Sequence, residues 1–117
     1  MAEITITDAH QRRGQDQVLD VREDFELVEG MIPGVLHIPM GQLGDRLSEL
    51  DQDRPVIVIC RSGNRSAWVA DALNAAGYTA DTMAGGMTAW QCTGLPTHRP
   101  LPGRPDLTDP SRQGRPS

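Results

Sequence analysis

The stretch PVIVICRSGNRSAW, from Pro55 to Trp68, decides the fold of this 117-residue chain. Its first half is apolar at every position from Val56 to Cys60, which is typical of a strand covered on both faces in a parallel sheet. Its second half contains a glycine and then enters a helical pattern. The stretch therefore predicts a buried strand that ends at Cys60, a short loop and a helix.

Short strand and helix patterns alternate on both sides of this stretch. The predicted strands are Ile4–Thr7, Gln17–Val21, Val35–Ile38, Pro55–Cys60 and Tyr78–Met83. The predicted helices lie near residues 22–30, 43–50, 64–77 and 85–94. This alternation predicts an α/β sandwich, in which helices cover a mainly parallel sheet and the crossovers are right-handed.

Two apolar stripes mark the helix faces that we expect to be buried. Leu43, Leu47 and Leu50 recur at helical spacing in one segment. The helix after the loop has a longer stripe, formed by Val69, Ala70, Leu73 and Ala76. Both stripes are expected to pack on the sheet.

Composition limits the classes of partner. The net charge of −5 argues against nucleic acid as a partner. No apolar run is long enough for a membrane span, and the first residues lack the pattern of a secretory signal, so no membrane is expected and a cytoplasmic location is the default. Two cysteines, Cys60 and Cys92, are too few for a disulfide framework and lack zinc-type spacing.

The composition changes near the C-terminus. Residues 97–117 hold five prolines and four arginines and show no apolar periodicity. Such a segment predicts a flexible tail. We therefore expect one folded domain over residues 1–96 and a Pro/Arg-rich tail over residues 97–117.

Cys60 is the candidate catalytic residue. Ligands of open parallel sheets bind beyond the carboxyl ends of the strands, where Cys60 is predicted to lie. No residue from Arg61 to Ser66 is proline, so each can offer an N–H, and Gly63 can adopt the dihedral angles that a tight curve needs. A loop curled around the sulfur would stabilise a thiolate and lower the thiol pKa. Arg61 and Arg65 would add positive charge for an anionic substrate.

A plainer interpretation remains open from the residues alone. A cysteine at the end of a buried strand is often a small hydrophobic residue without chemical function. The two arginines and the strand–loop–helix context favour the catalytic interpretation.

Four ordered segments resemble motifs of the rhodanese family of sulfurtransferases. CRSGNRS (Cys60–Ser66) is similar to the active-site loop of that family, and VLDVRE (Val18–Glu23) is similar to its strand with an Asp and an Arg. GMIPGVLHIP (Gly30–Pro39) resembles its GHIPGAxHIP segment, and GGMTAWQCTGLP (Gly85–Pro96) resembles its closing GGxxxWxxxGxP segment. Met31 stands where the family usually has His, at a position that we interpret as scaffold.

The resemblance implies a three-layer sandwich with a central five-stranded parallel sheet. It also implies that Cys60 takes the outer sulfur of thiosulfate, or of a similar small anionic donor, as a persulfide. Cyanide or a thiol then accepts that sulfur, and a protein is a further candidate acceptor. The resemblance requires no metal or organic cofactor. The loop residues that it assigns to donor binding and persulfide stabilisation are Arg61, Ser62, Gly63, Asn64, Arg65 and Ser66.

Two other functions stay open. Related phosphatase and arsenate reductase domains use Cys-x5-Arg, whereas four residues separate Cys60 from Arg65 here. A shorter loop makes a tighter cradle, which suits a sulfur atom better than a phosphate group. A non-turnover sulfur-relay or partner-binding module would keep the same fold and the same cysteine.

The remaining polar candidates have mainly structural interpretations. Asp20 and Arg22 could form an acid–base pair, but we expect them to support the site by anchoring loops. His37 is expected to be a hydrogen-bonded structural histidine. Cys92 could resolve the Cys60 persulfide as a disulfide, although packing residues surround it in the sequence. Trp90 is expected in the core, and Trp68 is expected at the border of the site.

Overall fold

The structure is a computed structural model that describes residues 2–97. The strands are β1 (Ala2–Ile4), β2 (Gln17–Asp20), β3 (Leu36–His37), β4 (Val56–Ile59) and β5 (Ala80–Met83). The helices are α1 (Ile6–Arg12), α2 (Leu43–Arg46), α3 (Asn64–Ala75) and α4 (Gly86–Cys92). Within the described residues, 3₁₀ helices span Asp24–Glu29, Met40–Gln42 and Leu47–Glu49. Apart from Thr97, the predicted tail lies outside the described residues.

One five-stranded sheet has the order β1-β5-β4-β2-β3, and all its strand pairs are parallel. This arrangement confirms the predicted α/β class. The central strand, β4, pairs with β2 and β5. Because all strands run the same way, their carboxyl ends share one edge of the sheet, and Cys60 follows β4 at that edge.

The core has two parts, one on each face of the sheet. Val56, Val58 and Cys60 belong to one buried cluster, whereas Ile57 and Ile59 belong to the other. Successive side chains of a strand point to opposite faces, so β4 is buried on both sides. This double burial explains why its sequence is apolar at every position.

Three local predictions were wrong. The strand predicted over Ile4–Thr7 ends at Ile4, because the Thr5 side chain accepts a 3.0 Å hydrogen bond from the Asp8 N–H and caps α1. The leucine stripe over residues 43–50 forms one turn of α-helix between two 3₁₀ helices rather than one regular helix.

The third error concerns Ala76, which is exposed and lies one residue beyond the end of α3 at Ala75. The other members of its predicted stripe are buried. Within residues 2–97, none of the helices combines the length and the apolar character that crossing a membrane needs.

Candidate active site

The Cys60 sulfur is surrounded by donors from the loop that follows it. Sγ accepts hydrogen bonds from the N–H groups of Gly63, at 3.0 Å, and Ser66, at 3.3 Å. Gly63 has φ +103°, a left-handed conformation that favours glycine and that curls the loop back toward the sulfur. We call the loop residues Arg61–Ser66 the cradle.

Sulfur also takes the place of a side-chain cap for α3. Gly63 is the N-cap residue and has no capping side chain, so the first N–H groups of the helix need other acceptors. Sγ accepts one of them, the Ser66 N–H. The partial positive charge of the helix N-terminus therefore acts on the sulfur, where it favours a thiolate.

Opposing effects set the pKa of the Cys60 thiol. Burial alone would raise it, because charge is costly away from water. Hydrogen bonds from the Ser66 side chain and from the N–H groups of Ser66, Gly63 and Ser62 lower it. These bonds outweigh the burial, so the pKa of Cys60 lies below its ordinary value and the thiolate fraction near neutral pH rises.

Two hydroxyl groups lie behind the sulfur. Ser66 Oγ is 3.5 Å from Cys60 Sγ, and Thr82 Oγ1 on β5 is 2.6 Å from Ser66 Oγ. Ser66 Oγ also donates to the Gly63 carbonyl oxygen at 3.1 Å. Both hydroxyl residues are buried. When Thr82 donates to Ser66 Oγ, the single Ser66 proton is free to bond either the Gly63 carbonyl or a Cys60 thiolate.

The first turn of α4 holds the beginning of the cradle. The Met87 N–H donates to the Cys60 carbonyl at 2.8 Å, and the Thr88 N–H donates to the Arg61 carbonyl at 2.9 Å. Gly86 makes this approach possible, since a Cβ atom on it would lie 2.5 Å from the Cys60 carbonyl oxygen. Gly86 also has φ +58°, so both space and conformation require glycine there.

The fold brings carboxylates to both cradle arginines. Arg65 donates to both carboxylate oxygens of Glu26 at 2.7 and 2.8 Å. This bond to Arg65 is the main reason that the pKa of Glu26 falls to about 2; burial opposes the shift, while the Glu23 N–H and the charges of Arg65 and Arg22 assist it. Arg61 is more exposed, and its Nε lies 3.8 Å from Glu29 Oε1. Arg65 is therefore bound to the protein, whereas Arg61 retains a largely free guanidinium.

Asp20 and Arg22 form a buried ion pair beside the site. Arg22 Nη2 lies 2.8 Å from Asp20 Oδ2 and also donates to the Gly30 carbonyl at 2.9 Å. Arg22 Nη1 donates to the Glu26 carbonyl at 3.3 Å. This geometry is that of a supporting residue, because Arg22 ties the end of β2 to the middle and to the C-terminal end of the segment that carries Glu26. His37 Nε2 lies 2.7 Å from the Arg22 carbonyl oxygen, as a structural histidine would.

The remaining candidates lie outside the cradle residues Arg61–Ser66. Cys92 is exposed at the last position of α4, whose first turn is the part that contacts the cradle. Trp90 is fully buried, as predicted, and its Nε1 donates to the Pro96 carbonyl at 2.9 Å. Trp68 is exposed on α3. Met31 is buried, in agreement with a scaffold position.

Sequence reasoning missed three residues that shape the site: Glu26, Thr82 and Gly86. Glu26 had a local signal, since its carboxylate accepts the Glu23 N–H at 2.8 Å in a capping box. Thr82 is a polar residue in a buried strand, which is itself a signal. In neither case does the sequence identify the partner. In residues 2–97, no three His, Cys, Asp or Glu side chains are grouped so that they could hold a metal ion.

Comparisons with known proteins bear on the family of this chain. The model of the rhodanese-like domain matches residues 5–92. A putative sulfurtransferase of Bacillus subtilis, YtwF, is 45% identical over 74 residues, which cover 63% of this chain and 72% of that protein. A sulfurtransferase of Allochromatium vinosum is 39% identical over 84 residues, which cover 71% of this chain and 78% of that protein.

A solved structure supports the same relationship. The rhodanese-related protein of Thermoplasma volcanium superposes with a TM-score of 0.80 at 34% identity, over 84% of this chain and 98% of that one. The relatives that are named sulfurtransferases support sulfur transfer as the general chemistry. The chain therefore belongs to the rhodanese-like domain family.

Proposed function

We propose that the protein is a thiosulfate-type sulfurtransferase in which Cys60 carries the transferred sulfur as a persulfide. The observation that carries the proposal is the position of Sγ, which accepts N–H groups of Gly63 and Ser66 at the carboxyl end of β4. The same donors stabilise a thiolate before the reaction and a persulfide anion after it.

The first half-reaction loads the sulfur. The Cys60 thiolate attacks the outer sulfur of thiosulfate, a new S–S bond forms, and the S–S bond of thiosulfate breaks. Sulfite leaves with the electron pair of that bond, so no external oxidant or reductant is needed. Cys60 is buried, and we expect exposed cradle residues such as Ser62 to shift when the donor enters.

The second half-reaction returns the enzyme to its starting state. Cyanide or an acceptor thiolate attacks the terminal sulfur of the persulfide, and thiocyanate or a new persulfide forms. Cys60 leaves as a thiolate, which the cradle N–H groups stabilise as a leaving group. No proton, metal or organic cofactor takes part in either sulfur transfer.

The two cradle arginines have different roles in this proposal. Arg61 is 60% exposed and offers its guanidinium to the sulfonate end of the donor. Arg65 stays a second candidate for that role, but Glu26 already engages both of its terminal nitrogens. The bond to Glu26 supports a role for Arg65 in holding the cradle in shape.

Intact-protein mass measured under non-reducing conditions tests the proposal. Incubation with thiosulfate should add about 32 Da, one sulfur atom, to the protein and nothing to the Cys60→Ser variant. Cyanide should then remove the added mass and release thiocyanate. A gain that cyanide cannot discharge would favour the relay module, and the absence of any gain would refute thiosulfate as the donor.

A further inference from the structure

Two of the four aromatic residues of this chain are exposed. Phe25 is 75% exposed and Trp68 is 65% exposed, whereas Trp90 is fully buried. Large aromatic side chains dominate the energetics of protein cores and interfaces, and tryptophan in particular is enriched where partners bind. Half of the aromatic side chains of this protein are therefore exposed and available to contact a partner.

Both exposed aromatic residues adjoin the ion pair that holds the cradle. Phe25 directly precedes Glu26 in the 3₁₀ helix, and Trp68 lies three residues, about one turn, after Arg65 in α3. Glu26 and Arg65 are joined by two hydrogen bonds of 2.7 and 2.8 Å. The ion pair therefore joins the segment that carries Phe25 to the turn of α3 that precedes Trp68, next to the Cys60 cradle. We call Phe25 and Trp68 the aromatic rim.

The segment that carries Phe25 is acidic. Glu23, Asp24 and Glu29 are exposed on the segment that carries Phe25. Residues 2–97 as a whole contain fourteen carboxylates and seven arginines, a net charge of −7. Two of these acids have a basic side chain nearby: Glu29 Oε1 lies 3.8 Å from Arg61 Nε, and Asp24 Oδ1 lies 3.7 Å from His37 Nδ1. A partner with a basic surface would match this border in charge.

We propose that the aromatic rim docks the sulfur acceptor, and that this acceptor is a thiol on a partner protein, in a segment with apolar and basic side chains. The proposal rests on the proposed function, since it names the acceptor class for the Cys60 persulfide. Apolar side chains of the partner cover Phe25 and Trp68, and its basic residues face the exposed carboxylates. A second copy of this chain fits less well, because it would present the same acidic surface.

Basic residues in the acceptor also suit the chemistry. They lower the pKa of the acceptor thiol and so raise its thiolate fraction near neutral pH. That thiolate attacks the terminal sulfur of the Cys60 persulfide, the S–S bond to Cys60 breaks, and the electron pair stays on the Cys60 sulfur. The acceptor becomes the persulfide, so atoms and charge balance without a further reagent.

Two blocked pentapeptides, Arg-Leu-Cys-Leu-Arg and Glu-Leu-Cys-Leu-Glu, test the proposal on the full chain. Cys60 is loaded with thiosulfate, and the discharge of the persulfide by each peptide and by cyanide is followed by intact mass. We expect the basic peptide to discharge it about tenfold faster than the acidic one, with a difference that narrows as salt is added.

Variants then test whether the aromatic rim causes the preference for the basic peptide. The double variant Phe25→Ser/Trp68→Ser should lower the ratio of the basic-peptide rate to the cyanide rate about tenfold. Asp24→Asn should lower the same ratio by a smaller factor. Asp53→Asn is the matched control, because Asp53 is exposed just before β4, at the opposite edge of the sheet, and it should leave the ratio unchanged.

The outcomes separate this inference from the proposed function. If thiosulfate does not load Cys60, or cyanide does not discharge it, the proposed function fails. If both steps work but the peptides react equally, or the double variant keeps the wild-type ratio, the docking proposal alone is overturned. A dimer that the double variant abolishes would assign the rim to a second copy. Protection of Trp68 from acrylamide quenching in the free monomer would show that this chain covers its own rim. Either result overturns the proposal.

Discussion

The two cysteines of this chain share a chemical group but have opposite surroundings. Cys60 is fully buried at the end of β4, and its sulfur accepts two backbone N–H groups. Cys92 is exposed at the last position of α4, a short helix whose first turn contacts the loop that holds Cys60. The comparison indicates that solvent exposure alone does not favour the thiolate form of a cysteine. Backbone N–H groups that converge on the sulfur do so, because they favour the anion even where water is absent.

Exchange of each cysteine for serine gives the largest contrast. Cys60→Ser should lower turnover of thiosulfate and cyanide at least about a thousandfold, because a serine hydroxyl is not ionised near neutral pH and forms no persulfide. Cys92→Ser should keep turnover within about twofold of the wild type. Steady-state thiocyanate formation measures both. A loss of activity in Cys92→Ser equal to that of Cys60→Ser would restore the resolving role for Cys92.

Gly86→Ala should weaken the backbone support of Cys60. The new methyl group would lie 2.5 Å from the Cys60 carbonyl oxygen, and φ +58° is unfavourable for alanine. We expect a loss of about 2–3 kcal/mol in the free energy of unfolding, measured by urea titration. Gly14→Ala is the control, because a Cβ atom there meets nothing within 4 Å, and it should change that free energy by less than about 0.5 kcal/mol. Equal effects of the two substitutions would contradict the proposed role of Gly86.

The Glu26→Gln variant tests how much the Glu26–Arg65 ion pair stabilises the protein. At pH 7 the variant should lose about 1–2 kcal/mol in the free energy of unfolding, a modest value because Arg65 is partly exposed. Glu26 has a lowered pKa in the folded state, so its contribution is full above its ordinary pKa of 4.5 and is lost as pH falls toward about 2.

The difference in the free energy of unfolding between the wild type and Glu26→Gln should therefore disappear over that pH range. Urea titrations at several pH values measure it. Glu49→Gln is the matched control, because it breaks the exposed pair with Arg46 and should not move the urea midpoint. A difference that stays constant down to pH 2 would show that the Glu26 charge is not what stabilises the cradle.

Thr82→Val gives the smallest and most specific effect. The variant keeps the shape of the buried side chain but removes the hydroxyl that lies 2.6 Å from Ser66 Oγ. Ser66 Oγ then loses a hydrogen-bond partner and is held less well toward sulfur, so the pKa of Cys60 should rise and alkylation by iodoacetamide at neutral pH should slow about two- to tenfold.

Thr82→Ser restores the hydroxyl and should restore the alkylation rate. If Thr82 acted only through packing, the lost methyl group of Thr82→Ser would matter instead. Slow alkylation of Thr82→Ser together with normal alkylation of Thr82→Val would therefore disprove the role of the hydroxyl group. The ultraviolet absorbance of the thiolate, followed against pH, reports the pKa change directly.

Much of the fold could be predicted because the signals are local. The unbroken apolar run from Val56 to Ile59 requires a strand with two covered faces, and the structure places it at the centre of a parallel sheet. The error at Ile4–Thr7 has a local cause too, since the alternation of apolar and polar residues did not reveal that Thr5 is a helix cap. Short apolar patterns fit a strand or a helix start equally well.

The candidate nucleophile and its loop could be predicted from the sequence, but the contacts that hold them could not. Cys60 and the cradle are contiguous in sequence, so their motif could be recognised. Glu26 contacts Arg65 across 39 residues, and Thr82 contacts Ser66 across 16. No periodicity or spacing encodes such a pair, because the two residues meet only after the strands have taken their order in the sheet.

The sequence by itself determined the α/β class, the central strand and the cysteine at its end. These follow from side-chain hydrophobicity and chain direction, which act over a few residues. Only the tertiary structure decided that Arg65 is bound by Glu26 while Arg61 stays largely free, and that Phe25 and Trp68 are exposed beside that pair. Charge pairing and burial depend on distances between segments, and the packing of helices on both faces of the sheet sets those distances.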